Sequence, residues 1–160
     1  PNCIDYPELV CGVSDAGGIV ATLSPRSTAR EVAAAARDCR ARVRFVHPAS
    51  AGAVDRAQLP TIEHVIVLGE EYEAWLGAAD PARSPAVTGA EVPIETDPFT
   101  LVYTSGTTGQ PKGILISHRS RVLTFHAMAM EYCCYGPEDV QLGIAPMSHG
   151  AGFAFIMCAV

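Results

Sequence analysis

The chain has 160 residues, 49% of them hydrophobic and 18% charged, and its formal net charge is −6. A chain this apolar is not a disordered segment. One this acidic, with no run of Lys or Arg, lacks the electrostatic footprint of a nucleic-acid binder or of a polybasic lipid contact. The longest apolar stretch, 151–160, is too short to span a bilayer.

Tyr6, Leu9, Val10 and Val13 recur at helical spacing and predict a helix over 5–16, which Gly17 and Gly18 stop. Residues 19–23 read as a buried strand closed by Ser24 and Pro25. Thr28 and Glu31 have the spacing of a capping box, so a second, Ala-rich helix runs to about residue 40. A strand over 43–46, a weak helix over 49–57, a strand over 64–68 and a short helix over 70–76 follow. Helices alternating with strands predict an α/β fold of layered sheets, at least partly parallel, with flanking helices. Pro81, Pro85, Pro93 and Pro98 make 78–98 an irregular linker between a segment over 1–77 and another over 99–160. The second segment predicts strands over 100–103 and 113–116, a helix over 118–132 capped by Ser117, and a strand over 140–144. A turn over 146–150 and a closing apolar element end it.

Six cysteines, Cys3, Cys11, Cys39, Cys133, Cys134 and Cys158, form no C-x-x-C and no zinc pattern. They read as small, mostly buried, reduced residues of a cytosolic protein. The chain opens on Pro1 without Met and stops inside an apolar run, so the expectation is a window from a longer protein.

The chemistry concentrates in Tyr103-Thr-Ser-Gly-Thr-Thr-Gly-Gln-Pro-Lys-Gly113, between two predicted strands. Glycines let successive backbone N–H groups point into one concavity, which holds anions. The hydroxyls of Thr104, Ser105, Thr107 and Thr108 add donors, and Lys112 adds a mobile point charge. Polyphosphate binding needs this combination, although Gly, Ser and Thr also dominate ordinary turns. The segment is neither G-x-x-x-x-G-K-[ST] nor G-x-G-x-x-G, because Gly106 and Gly109 are three apart, Pro111 precedes Lys112 and a strand follows.

This segment closely resembles the phosphate-loop signature of the adenylate-forming, AMP-binding superfamily, in its acyl-CoA synthetase and CoA ligase branch. Ala145-Pro-Met-Ser-His-Gly-Ala-Gly152 resembles that family's next motif, and 2–25 and 27–46 resemble the region before the loop. The resemblance covers nearly the whole chain, as an incomplete piece of the large N-terminal domain, with the C-terminal domain absent. It implies ATP-dependent activation of a carboxylic acid to an acyl-adenylate, with pyrophosphate released, and then transfer of the acyl group to coenzyme A. It also implies phosphate contacts from Thr104, Ser105, Gly106, Thr107, Thr108, Gly109 and Lys112. Thr104 would touch the Mg²⁺ that travels with ATP, and His149 would lie beside the carboxylate, with Lys112 and His149 the catalytic pair. His118 is expected to be structural, and His47, His64 and His126 to lie at the surface or core edge. The acid-free stretch Met147-Ser148-His149-Gly150 and the presence of Thr107 favour a fatty or aryl acid over an amino acid. The chain by itself is expected to be inactive. Three alternatives stay open: an amino-acid adenylation domain, a kinase-like phosphate binder with a convergent loop, and a non-catalytic interaction remnant.

Overall fold

The computed structural model describes residues 2–80, 82, 92–104 and 112–160. Residues 81 and 83–91 of the Pro-rich linker lie outside them. The chain divides into two compact units, one of residues 25–88 and one of residues 2–24 with 89–160.

In the first unit Thr28 opens helix α2 (Ala29–Asp38), α1 being the Asp5–Asp15 helix of the second unit. The Thr28 hydroxyl accepts the Glu31 N–H at 3.3 Å, and the Glu31 carboxylate accepts the Thr28 N–H at 2.7 Å. Ala33 and Ala36 present a flat face that closes on Val54, Leu59 and Ile62, and these five make the core. Strands β2 (Val43–Val46) and β3 (His64–Val67) pair in parallel, with Phe45 opposite Ile66; β1 lies in the second unit. Between them the expected helix over 49–57 is replaced by two 3-10 turns, Pro48–Ala53 and Arg56–Gln58. The reason lies at Val54, whose extended backbone turns its side chain into the core and interrupts any continuous helix. Asp55 then starts the second turn by accepting the Ala57 N–H at 2.9 Å. Helix α3 (Glu70–Gly77) follows Gly69 and packs Tyr72 and Trp75 around Phe45, with ring centroids 5.7–6.2 Å apart.

In the second unit α1 ends at Gly17, whose φ of +73° suits glycine. The Gly17 and Gly18 N–H groups cap the Ser14 and Val13 carbonyls, and the chain turns into β1 (Val20–Thr22). A three-stranded sheet has the order β1-β4-β5, with β4 (Pro98–Thr104) central, parallel to β1 and antiparallel to β5 (Lys112–Ser117). Pro98 opens β4, where a missing N–H breaks little of the ladder. Helix α4 (His118–Tyr132) starts as expected, with the Ser117 hydroxyl accepting the Ser120 N–H at 3.2 Å. The closing apolar element is helix α5 (Gly150–Met157). Val10, Met147, Phe153 and Met157 form this unit's core, flanked by Tyr6, Val20, Phe99, Phe125 and Ile156.

Two further expectations are corrected. Residues 140–144 form no strand: Val140, Leu142 and Ile144 are 99%, 81% and 81% exposed, and no described strand pairs with them. Apolar alternation gives a strand only where a ladder exists to receive it. The cysteines are not mostly buried either. Cys11, Cys133 and Cys134 are exposed and the other three partly buried, all as free thiols. Cys11 faces outward from α1, and Cys133 takes a left-handed turn where α4 ends. Among the described residues no helix is long and apolar enough to cross a membrane.

Candidate functional site

The site begins where β4 and β5 end their pairing. Thr104 and Lys112 are the last partners of that ladder, and both are exposed. Residues directly opposite one another project from the same face of a sheet. The Thr104 hydroxyl and the Lys112 stem therefore leave the sheet together at the mouth of the loop that joins them. Ser105, Gly106, Thr107, Thr108 and Gly109 belong to that loop and lie outside the described residues.

A second feature is the turn that ends at His149. Met147 is buried in the core, and the His149 N–H closes the turn on the Pro146 carbonyl at 3.0 Å. His149 is the N-cap residue of α5, and its carbonyl accepts the Phe153 N–H at 2.8 Å. Its imidazole makes no capping bond and stays exposed. Gly152 explains why the motif ends in small residues. A β-carbon there would collide with the Pro146 carbonyl and lie 2.9 Å from the Ala145 carbonyl carbon. The Ser148 hydroxyl, one residue before His149, is buried without a hydrogen-bond partner among the described residues.

The sheet register brings these features to one edge. The Thr22 hydroxyl, at the carboxyl end of β1, donates to the Ser148 carbonyl at 3.3 Å. Thr22 is in register with Val102 of β4, two residues before Thr104. With strands about 4.8 Å apart and a rise of about 3.3 Å per residue, the His149 turn and the loop mouth share the carboxyl edge of two parallel strands. Ligands of open α/β sheets characteristically bind at that edge. On the sheet, fully buried Thr100 accepts from Nε and Nη2 of Arg121 at 3.3 and 3.1 Å. The Arg121 guanidinium also sits 4.7 Å from the Phe153 ring centroid. Burial lowers its affinity for a proton, and no described carboxylate pairs with it.

Chemically, this edge offers hydroxyl and ammonium donors on one side and an exposed imidazole on the other. No described group of His, Cys, Asp and Glu side chains could hold a metal ion. One Thr hydroxyl does fit a Mg²⁺ ion that keeps most of its waters and arrives bound to phosphate oxygens. Asn2, Tyr6 and Thr22, which bond the backbone before His149, escape sequence reasoning altogether. They lie more than 120 residues from it in the chain, and no spacing pattern links them. The other histidines are peripheral: His47 caps a 3-10 turn, His64 and His126 are exposed, and His118 packs on Phe99 at 5.0 Å.

The family model for AMP-binding enzyme matches residues 1–160. A long-chain-fatty-acid–CoA ligase of Thermus thermophilus is 31% identical over 159 residues, covering 92% of this chain and 28% of that protein. A 3-methylmercaptopropionyl-CoA ligase of Ruegeria pomeroyi is 31% identical over 153 residues, covering 89% and 28%. The chain thus spans less than a third of these relatives' length. Among solved structures, an anthranilate CoA ligase in complex with anthranoyl-AMP is 30% identical with a TM-score of 0.64, covering 73% of this chain and 23% of its own. A long-chain-fatty-acid-CoA ligase from Archaeoglobus fulgidus is 23% identical and shares the fold at a TM-score of 0.84, covering 98% and 31%. The chain belongs to the AMP-binding enzyme family.

Proposed function

We propose that this chain is the phosphate-loop portion of an AMP-forming acid–thiol ligase of the acyl-CoA synthetase type, acting on a fatty or aryl acid. A carboxylate oxygen of the acid bonds to the α-phosphorus of ATP while the bond to pyrophosphate breaks. The sulfur of coenzyme A then bonds to the acyl carbon and AMP leaves. The first step brings an anion to a polyanion, so the protein's task is placement and charge compensation. In this reading Thr104, Ser105, Gly106, Thr107, Thr108, Gly109 and Lys112 hold the β- and γ-phosphates. Thr104 touches the accompanying Mg²⁺, which neutralises phosphate charge. His149 orients the carboxylate. The setting is fatty-acid or related acid metabolism in the cytoplasm, and the 160 residues alone are inactive. The observation that supports this most is the Thr22 register, which sets the His149 turn and the loop mouth on one edge of the sheet.

The test is carboxylate-dependent ATP–pyrophosphate exchange by the complete polypeptide that carries this chain. Lys112→Ala should slow exchange by about 10²-fold, the usual cost of one charge-stabilising donor. His149→Ala should raise KM for the acid more than KM for ATP. Full exchange in the Lys112 variant, or a defect in His149→Ala confined to ATP, would reject the assignment.

A further inference from the structure

Residues 143–147 run toward His149 without joining any described ladder. A backbone that must present an imidazole needs something else to hold it. The Asn2 amide does this from the far end of the chain. Its Oδ1 accepts the Met147 N–H at 2.9 Å, and its Nδ2 donates to the Ala145 carbonyl at 3.0 Å and to the Gly143 carbonyl at 3.5 Å. The groups engaged alternate along the chain, as they would against a neighbouring strand, and Pro146 between them has no N–H to satisfy. Two more side chains complete the set. The Tyr6 hydroxyl reaches the Met147 carbonyl at 3.5 Å and the Thr22 hydroxyl the Ser148 carbonyl at 3.3 Å. From Ala145 to Ser148, four main-chain polar groups are thus held by side chains from residues 2–22.

The arrangement is one-sided. Met147 is fixed from below by the core, and Gly152 lets α5 press against Pro146. The His149 imidazole makes no capping bond, and its backbone is held by the Pro146 carbonyl on one side and the Phe153 N–H on the other, so the turn before it and the start of α5 together set its position. We propose that Asn2, with Tyr6 and Thr22, is a positioning group for His149, so that the start of the chain tunes the carboxylate side of the site without touching the phosphate loop. This rests on the function proposed above. Misplacing a reacting group by about 1 Å can cost as much as 10²-fold in rate, so a loosened turn should be visible in kinetics.

The experiment uses the complete polypeptide with Asn2→Ala, Asn2→Asp and Thr22→Val. Asn2 is exposed, so its truncation leaves the core intact, and Thr22→Val keeps volume while losing the donor. Asn2→Asp keeps the acceptor for Met147 but sets an oxygen against the Ala145 carbonyl. Hydrogen exchange is followed on the peptide covering 143–149, beside steady-state KM values for acid and for ATP. Exchange at the Met147 amide should quicken at least about tenfold in Asn2→Ala and less in Asn2→Asp, with α4 unaffected. KM for the acid should rise about tenfold in Asn2→Ala and Thr22→Val while KM for ATP holds. Unchanged exchange overturns the clamp. Faster exchange with both KM values unchanged, or raised equally, overturns the positioning role and leaves the functional reading standing. A wild-type protein inactive with every acid tried overturns the functional reading, and the positioning role falls with it.

Discussion

Arg40 closes α2 with a φ of +52°, a left-handed conformation that costs a residue with a β-carbon about 1 kcal/mol. Its N–H caps the Arg37 carbonyl and the Ala41 N–H caps the Ala36 carbonyl. That is the closure Gly17 and Gly18 give α1, where glycine meets the same demand without strain. Arg40→Gly should therefore raise stability by about 0.5–1 kcal/mol, read as a higher urea midpoint at unchanged slope. A lower midpoint would mean that the Arg40 side chain contributes more than its backbone costs. The two helix ends also show what a sequence reveals about single residues. Gly17 and Gly18 announce a stop, whereas Arg40 carries no mark of its conformation. The site residues divide in the same way. The glycines and hydroxyls of 104–109 carry the proposal of anion binding in their residue types alone. Asn2 is one polar residue among many until the fold brings Met147 beside it.

Elements set by neighbours in sequence were the ones the sequence predicted best. Helix α2 begins at its capping box, and α4 spans the residues its Ser117 cap and Cys133 end allow. The misses were segments whose state depends on distant partners. Val54 breaks a helix because the core takes its side chain, and 140–144 stays irregular because no described strand lies beside it. The capping box also predicts a pH response. The Thr28 N–H and hydroxyl hold the Glu31 carboxyl below its ordinary value of 4.5. A carboxyl lowered by folding binds fewer protons folded than unfolded. Its contribution is complete above the unfolded value and is lost as pH falls through the folded one. Melts of the wild type at about pH 6 and about pH 3 should differ more than those of Glu31→Gln, which cannot ionise. Glu63, lowered by its paired bonds to Arg42, gives a parallel acid-side loss that remains in that variant. Equal pH dependence in the two proteins would remove Glu31 from the acid response.

At the scale of the molecule, the α/β class was legible in the alternation of elements, but the grouping was not. Val20 pairs with Thr100, so residues 2–24 belong with the second half of the chain and not with the 25–88 unit that follows them. Parallel pairing leaves no turn between its strands to read. The same unit carries a surface whose behaviour can be predicted. Val140, Leu142 and Ile144 are exposed, and Leu142 and Ile144 line an apolar cleft of about 200 Å³ with Phe155 and Ile156 of α5. An exposed apolar segment in no described ladder, beside an apolar helix, offers hydrophobic area to another chain. Each side chain of this size contributes about 1.5–3 kcal/mol on full burial, so covering two of them on each of two chains supplies about 6–12 kcal/mol, against roughly 8 kcal/mol for micromolar association. The 160-residue chain expressed alone should therefore self-associate, with an apparent mass in sedimentation that rises with concentration. Leu142→Asp with Ile144→Lys places opposite charges on that surface and touches neither core, so it should shift the chain toward monomer with an unchanged far-ultraviolet dichroism spectrum. A wild-type chain that stays monomeric across a hundredfold concentration range, or a double variant that associates as strongly, would show that this surface does not drive contact between chains.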